Sequence, residues 1–152
     1  MLNFVFDPKL VKESEGMGWN HCDFVLVKEG EKIPKDKFVV FKVKTEKGAR
    51  KAIESKKVNI MFGFEHIHAI DSVHYPRSGF DQIIAKLCAE YNVKVGISIS
   101  DYLESSLWRK GQLDRRIKLI SKLCRKYNVI MLPASFGNKI RSYDDTSSIF
   151  SS

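Results

Sequence analysis

Three side chains in the middle of the chain have the types and the spacing of a metal site. His66 and His68 are separated by one residue, and Asp71 follows three positions later. On an extended segment alternate side chains project to the same face, so a His-x-His pair can bind zinc or manganese, and an aspartate can complete a hydrolytic centre. The pattern therefore indicates one candidate activity, a metal-dependent phosphoesterase. The alternative is that both histidines are ordinary loop or packing residues.

A cluster of positive charge between positions 109 and 126 indicates a different chemistry. Eight basic side chains and one acidic side chain, Asp114, occur within these eighteen residues. Such a cluster suits the phosphates of a duplex or a structured RNA, and binding of that kind depends strongly on salt. Aromatic residues are not interleaved with the cations, so recognition of shape and backbone is favoured over base stacking. A solvated helix face and a surface for a protein partner are the alternatives.

Nucleophilic catalysis has no candidate in this sequence. It contains no GxSxG motif and no GxxxxGK phosphate-binding loop. The cysteines Cys22, Cys88 and Cys124 are odd in number and form no CxxC pair, which argues against a disulfide framework and for a reducing compartment. Cys88 and Cys124 fall on or beside apolar helix stripes, so we expect small buried hydrophobic residues there. No resident metal or other cofactor is predicted.

Six apolar, β-rich runs predict the strands that position these groups. They lie at 3–6, 24–27, 38–43, 58–64, 93–99 and 129–132. Several are almost continuously apolar, as expected for parallel strands covered on both faces, and most spacers between them are long enough for a helix. The alternation predicts an α/β fold with a parallel sheet of right-handed βαβ units. A TIM-barrel-like (β/α) barrel with fewer than eight strands is the first choice, and an open doubly wound sheet is the second.

Capping residues predict where several helices begin and end. Thr45 precedes an exposed amphipathic stretch and is a candidate N-cap. Ser78 and Asp81 match a capping box at the start of a helix that runs to about residue 91. A short helix is expected to begin near Asp101 and to end at Gly111.

The next predicted helix, 112–127, is the most clearly amphipathic segment. One side of it carries the apolar residues Leu113, Ile117, Ile120, Cys124 and Tyr127. The opposite side carries five cations within about 100° of arc: Arg115, Lys118, Lys122, Arg125 and Lys126. One face is therefore expected to pack and the other to meet solvent or a partner.

The overall composition fits one globular domain with an anionic partner. The chain has 152 residues, which we assign to a single barrel-like domain with a Ser-rich tail at 142–152 that is expected to fray. The net charge is +8, and it is uneven: residues 1–76 contribute +2 and residues 77–152 contribute +6. A partner with many phosphates is favoured over a small acidic molecule.

Nothing in the sequence predicts a membrane segment. The N-terminus reaches Asp7 after a short apolar run, unlike a signal peptide, and no apolar run approaches the roughly 18 residues of a membrane span. A cytoplasmic protein is expected.

The segment HYPRSGFDQIIAK, at 74–86, resembles the archaeal ribonuclease P protein component 3 family, whose eukaryotic counterpart is a ribonuclease P and MRP subunit. That family has an RSG turn followed by a helix, and the matching positions here are Arg77, Ser78, Gly79, Phe80, Asp81, Gln82 and Lys86. The similarity continues through AEYNVKVGISISDYL and the doubled arginine at 115–116 to KYNVIMLPASFGNKIRSYDD. It covers roughly residues 58–145.

This resemblance implies a barrel related to the phosphoesterase barrels but without their metal site. It also implies a subunit of ribonuclease P, which removes 5′ leaders from precursor tRNA. In that enzyme the RNA performs the chemistry, and this subunit pairs with a small α/β protein, component 2, to stabilise the catalytic RNA. Members of the family continue past the point where this chain ends, so we expect the last strand and helix to be missing.

The two lines of argument together predict a non-catalytic RNA-binding subunit. The expected phosphate contacts are Arg77, Lys86, Arg115, Arg116, Lys118, Lys122, Lys126, Lys139 and Arg141. Partners other than ribonuclease P RNA are component 2 and the other proteins of the enzyme, with precursor tRNA met indirectly. The competing enzyme hypothesis is a phosphoesterase of the polymerase-and-histidinol-phosphatase type using His66, His68 and Asp71. In that family the His-x-His pair ends the first strand, whereas here it follows about the fourth.

Overall fold

A computed structural model describes residues 1–71, 78–142 and 146 of the chain. Five strands are present in this part: β1 (Val25–Lys28), β2 (Val39–Lys42), β3 (Ile60–Phe62), β4 (Lys94–Ser98) and β5 (Met131–Ala134). Five α-helices accompany them: α1 (Val11–Gly16), α2 (Glu46–Glu54), α3 (Gln82–Tyr91), α4 (Ile99–Glu104) and α5 (Leu107–Lys126). Two short 3₁₀ turns, Pro8–Leu10 and Phe64–His66, complete the regular structure described.

The five strands form one sheet in which every neighbouring pair is parallel. Their order across the sheet is the same as their order in the sequence, β1-β2-β3-β4-β5. The predicted α/β class with a parallel sheet is therefore confirmed. A doubly wound sheet would reverse its strand order at a switch point. This sheet has no such reversal, so the second choice made from the sequence does not fit it.

Both faces of the sheet are buried, as the continuous apolar runs predict. On β2, Val39 and Phe41 pack in the layer shared with the helices, whereas Val40 faces the opposite side. On that opposite side Phe136 stacks between two other rings, with centroids 4.8 Å from Phe62 and 5.2 Å from Phe4. Successive side chains of a strand point to opposite faces, so each strand contributes to two separate clusters.

The N-terminal segment is not the regular strand predicted at 3–6. It forms single parallel bridges, Leu2 with Asn20 before β1 and Val5 with Gly137 after β5. Asn3 is fully buried, and its Oδ1 accepts a 2.7 Å hydrogen bond from the Ser135 backbone N–H. The segment therefore contacts both the residues before the first strand and the residues after the last strand.

The helix boundaries confirm one cap and correct two predictions. Thr45 accepts from the Gly48 N–H, as expected. Asp81 alone caps α3, because the Ser78 hydroxyl bonds locally to Phe80 instead of forming a capping box. Gly111 does not end a helix: α5 begins at Leu107 and continues through it. A single interior glycine costs about 1 kcal/mol, which a twenty-residue helix with a buried face tolerates.

The two cysteines on helices are buried, as predicted. Cys88 on α3 is 1% exposed and Cys124 on α5 is 2% exposed. Burial raises the pKa of each thiol to about 12, so neither is a thiolate at neutral pH. Both pack as small apolar side chains in the layer between the sheet and the helices.

The C-terminal tail lies mostly outside the described residues. Within it, Ser142 and Thr146 are described, and the Thr146 N–H donates to the Ser142 carbonyl at 3.0 Å. Among the helices described, none combines the length and the apolar character needed to cross a membrane.

Candidate functional site

The solvent side of α5 carries the cations that the helical periodicity placed there. Leu113, Ile117, Ile120 and Cys124 are buried against the core. The five cations predicted opposite them are all exposed or partly exposed: Arg115, Lys118, Lys122, Arg125 and Lys126. One face of the helix packs and the other presents a row of positive charge to solvent.

Lys86 of α3 adds a sixth cation to this row. Its Nζ lies 5.7 Å from the centroid of the Tyr127 ring, and the Nζ of Lys126 lies 5.4 Å from the same centroid. The Tyr127 hydroxyl also donates to Oε1 of Gln82 at 3.2 Å. Both ammonium groups therefore contact the same ring. We call the six cations the basic face: Lys86, Arg115, Lys118, Lys122, Arg125 and Lys126.

Lys139 and Arg141 lie beyond the carboxyl end of β5. Lys126 precedes the start of the same strand, so β5 separates Lys126 from these two residues. Their side chains are exposed and their backbone is fixed: the Lys139 N–H donates to Ser100 Oγ at 3.0 Å, and the Trp19 Nε1–H donates to the Arg141 carbonyl at 2.7 Å. These two predicted contacts are not part of the basic face.

Arg116 does not have the surface position that a phosphate contact needs. Its side chain is 0% exposed, and it is the largest fully buried side chain described. The prediction that Arg116 contacts RNA is incompatible with this burial. Its neighbour Arg115 is 62% exposed and remains on the basic face. Arg77, another predicted contact, lies outside the described residues.

Arg116 instead holds the loop that follows β3. Its Nε donates to Asp71 Oδ1 at 2.8 Å, and its Nη1 donates to the backbone carbonyls of Glu65 at 2.8 Å and His68 at 2.5 Å. One planar guanidinium with several donors can satisfy acceptors at three points of a loop. Arg116 therefore fixes the loop 65–71 from the core side at three points, and Gln112 of the same helix donates to the Ala69 carbonyl at 3.4 Å.

The metal site suggested by the sequence is not assembled among the described residues. His68 Nε2 lies 2.8 Å from Glu46 Oε1, and Asp71 is bound by Arg116. His66 Nε2 faces other carboxylates, 3.5 Å from Glu65 Oε1 and 3.7 Å from Asp101 Oδ2. Within the part of the chain described, no group of three His, Cys, Asp or Glu side chains is arranged to hold a metal ion. The three residues of the phosphoesterase hypothesis therefore meet different partners.

A pocket of about 340 Å³ opens at the carboxyl edge of the sheet. We call it the carboxyl-edge pocket, and its polar lining comprises Lys42, His66, Asp101, Glu104, Ser105 and Arg109. Gly63 also lines it, with φ of 102°, and a Cβ there would approach the Val43 carbonyl oxygen to 3.2 Å. The turn after β3 therefore depends on glycine.

A buried carboxyl group lies beneath this pocket. The Glu65 side chain is 1% exposed, and burial raises its pKa to about 7. The backbone N–H groups of Glu65 and Ser98 favour the charged form, but neither makes a hydrogen bond of normal geometry to the carboxyl oxygens. Burial also lowers the pKa of His66, an effect that Asp101 opposes and Arg109 reinforces. His66 is thus neutral near pH 7, whereas Glu65 is about half protonated there.

Replacing Glu65 with glutamine is expected to change how stability depends on pH. The folded-state pKa of about 7 lies above the ordinary value of 4.5, so between these values the folded protein holds a proton that the unfolded chain has lost. Wild-type stability attributable to Glu65 is therefore present below pH 4.5 and lost as the pH rises through 7. Relative to wild type, Glu65→Gln should gain about 3 kcal/mol between pH 4.5 and pH 8.

Urea unfolding of both proteins at several pH values from 4.5 to 8 measures this difference. His66 contributes in the opposite sense, because its lowered pKa costs stability as the pH falls below 6.5. Because the two side chains lie 3.5 Å apart, the same comparison made in a His66→Gln background isolates the carboxyl group. A difference that stays constant across this range contradicts the prediction.

The pocket residues were not among the predicted RNA contacts, although a signal for them exists. His66 follows β3 and Asp101 follows β4, at the carboxyl ends of parallel strands. In such sheets the carboxyl edge is where ligands bind. Applied to the predicted strand ends, this rule predicts that His66 and Asp101 lie close together. Predicting Arg109 as a third member also needs the correct start of α5 at Leu107.

Comparison with known proteins adds a likeness of fold. No model of a known protein family matches the chain, and no curated protein matches it. Its fold is similar to that of a chain in the cryo-EM structure of archaeal ribonuclease P with mature tRNA. The TM-score is 0.62 at 16% sequence identity. The likeness covers 91% of this chain and 66% of the other, so this chain spans just under two thirds of that chain's length. At this identity the likeness shows a shared fold.

Proposed function

We propose that this chain is a protein subunit of ribonuclease P, of the component 3 kind, that binds and stabilises the catalytic RNA. The observation that carries the proposal is the shared fold with a chain of the archaeal ribonuclease P structure. The basic face supports it, because six cations on the solvent side of two adjacent helices suit an RNA backbone. In this function the chain supplies charge and shape, and the RNA performs the cleavage.

The proposed phosphate contacts are the solvent-facing members of the predicted set. Lys86, Arg115, Lys118, Lys122 and Lys126 belong to the basic face, and Lys139 and Arg141 form a second group beyond β5. Lys86 and Lys126 both contact the Tyr127 ring, which connects the cations of α3 and α5. Component 2 and the other protein subunits are the proposed protein partners, and a cytoplasmic location is proposed with them.

We also propose that the sheet closes into a small barrel through the N-terminal segment. The support lies in the bridges from Leu2 to Asn20 and from Val5 to Gly137, since closure needs chain between the first and last strands. The Phe6 N–H adds a 3.1 Å hydrogen bond to the Gly137 carbonyl. The strand order, which follows the sequence throughout, is the order found in TIM barrels.

Binding to ribonuclease P RNA is expected to weaken steeply with salt. If about six phosphates are contacted, affinity should fall by about three decades between 50 and 200 mM salt. A gel-shift titration with the cognate RNA at several salt concentrations measures the slope. A slope near zero contradicts the proposal, and recovery of component 2 without any RNA affinity would favour a purely protein-binding scaffold.

Reconstitution tests the function itself. Precursor-tRNA cleavage by the cognate RNA is measured at low magnesium with and without this chain and component 2. Cleavage should rise when both proteins are present, because cations supplied by protein replace part of the magnesium needed to fold an RNA. Equal cleavage in the presence and absence of this chain contradicts the proposal.

A further inference from the structure

Two large apolar side chains lie together in solvent in the first turn of α5. Leu107 is 88% exposed and Trp108 is 73% exposed. Neither residue lines the carboxyl-edge pocket. Adjacent exposed apolar side chains of this size mark a surface that meets a partner, and an aromatic ring has the largest contact area to offer. The start of α5 is therefore a candidate interaction surface.

Trp108 lies on the same side of α5 as the basic face. Arg115, Lys122 and Lys126 follow it by 7, 14 and 18 residues. At 100° per residue, all three lie within about 40° of Trp108 around the helix axis. Asp114, the acidic residue of α5, is about 120° away from it. The ring therefore stands at the N-terminal end of a row whose charged members are all cations.

The helix surface beside the ring is open. Gly111 lies one turn after Trp108, and a Cβ added there would meet no other atom of the described chain within 4 Å. Arg115 comes next on this side, about 10 Å further along the helix axis, and its side chain is 62% exposed. A flat group thus has room to lie against the ring while a charged group attached to it reaches Arg115.

The charges on this side of α5 select the kind of partner. A partner that covers both the ring and the cations must bring a flat apolar surface and several negative charges. RNA has both in every nucleotide, because each base has a π-face and each linkage carries a phosphate. Unpaired bases at the ends, bulges and loops of RNA stack on aromatic side chains. Residues 109–126 contain no aromatic side chain, so stacking on this helix is confined to its first turn.

We propose that Trp108 stacks on an unpaired RNA base next to a duplex whose phosphates lie along the basic face. The inference rests on the proposed function, because the RNA bound by the basic face supplies the base. Stacking on a ring tolerates any base, since all four have a π-face. Trp108 thus contacts the position at which the bound duplex ends, and the cations that follow it on α5 contact the duplex itself.

Gel-shift titrations of the full chain with ribonuclease P RNA test the stacking. Trp108→Ala should weaken binding by about tenfold, a usual loss when a stacking ring is removed. Trp108→Phe keeps an aromatic ring and should retain most of the affinity. Leu107→Ala is the matched control: it removes an exposed apolar side chain without a π-face from the same turn, and binding should stay within about twofold of wild type.

The salt dependence separates this inference from the proposed function. Stacking releases no counterions, so Trp108→Ala should bind more weakly at every salt concentration and keep the wild-type slope. Wild-type affinity in Trp108→Ala, together with a steep slope, contradicts the inference and leaves the proposed function intact. A slope near zero in the wild-type chain contradicts the proposed function instead.

Two short RNA hairpins test the stacking without ribonuclease P RNA. They share one stem, which ends blunt in the first hairpin and carries a single unpaired adenosine in the second. The chain has two tryptophans and Trp19 is 3% exposed, so quenching of the fluorescence reports on Trp108. The hairpin with the adenosine should quench saturably and bind about fivefold more tightly. Equal affinity and equal quenching by the two hairpins overturn the inference.

A protein partner is the competing explanation for the exposed ring. If Trp108→Ala binds RNA as well as wild type does and loses affinity for another protein subunit of the enzyme, the ring belongs to a protein interface and the inference is wrong. Thermal unfolding of all three variants verifies the fold, which substitutions at these two exposed positions should leave intact.

Discussion

Arg116→Ala is expected to lower the free energy of unfolding by about 3–5 kcal/mol, the usual loss when one partner of a buried ion pair is removed. The guanidinium is 0% exposed and donates to Asp71 and to the carbonyls of Glu65 and His68. Its removal leaves a cavity, a carboxylate without its closest donor, and two carbonyls without theirs. Thermal unfolding should therefore shift down by roughly 10 °C.

The adjacent arginine provides a matched control. Arg115 is 62% exposed and reaches the same aspartate at 3.9 Å, so Arg115→Ala removes the same side chain from the same helix turn. Exposed pairs of this kind contribute up to about 1 kcal/mol. Urea unfolding of both variants measures the contrast. Equal destabilisation by the two substitutions would show that Arg116 does not anchor the loop.

The effect should extend to the carboxyl-edge pocket. Arg116 fixes the loop 65–71, and this loop supplies His66 to the pocket lining. An Arg116→Met variant keeps much of the buried volume while removing the charge and the donors. Because Arg116→Met still leaves Asp71 and the two carbonyls without these donors, it should lose nearly as much stability as Arg116→Ala, and amide hydrogen exchange in the loop 65–71 should become faster in both variants.

The helix α5 shows which features sequence periodicity can predict and which it cannot. Its apolar and basic faces were both predicted, because residues three and four apart share a face whatever surrounds the helix. The same spacing carries a signal about Arg116, which lies three residues after Leu113 and four before Ile120 and so belongs to the apolar side. Arg116 was counted among the exposed cations because of its charge, although its position in the helix places it on the apolar side. Its partner Asp71 is 45 positions away, and periodicity holds no information about such a contact.

The sheet was predictable for a similar local reason. Runs of apolar and β-branched residues mark strands that are covered on both faces, and five of the six predicted runs contain or overlap one. The sixth, at 3–6, forms isolated bridges only, because its pairing depends on Asn20 and Gly137 far along the chain. The lining of the carboxyl-edge pocket also depends on contacts between residues that are far apart in the sequence. Lys42, His66, Asp101 and Arg109 come from four separate elements, and no spacing pattern relates them.

Removal of three charges from the basic face is expected to have the largest effect on RNA binding. In Lys118→Gln/Lys122→Gln/Lys126→Gln the helix keeps residues of similar helical propensity, and all three positions lie on the solvent side of α5. Each phosphate that the protein no longer neutralises lowers the slope of log affinity against log salt by about 0.9, so the slope should fall by about 2–3. Affinity near 0.1 M salt should fall by two to three decades.

A second triple variant separates a specific surface from net charge. Lys35→Gln/Lys47→Gln/Lys51→Gln removes the same three charges from positions in the β1–β2 loop and on α2. Because the field of exposed charges is screened within about 8–10 Å at physiological salt, lysines that do not contact the RNA should change the slope by less than about one unit. Gel-shift titrations of both variants, with thermal unfolding to verify the fold, make the comparison. Equal losses in the two variants would mean that overall charge, and not the solvent side of α5, attracts the RNA.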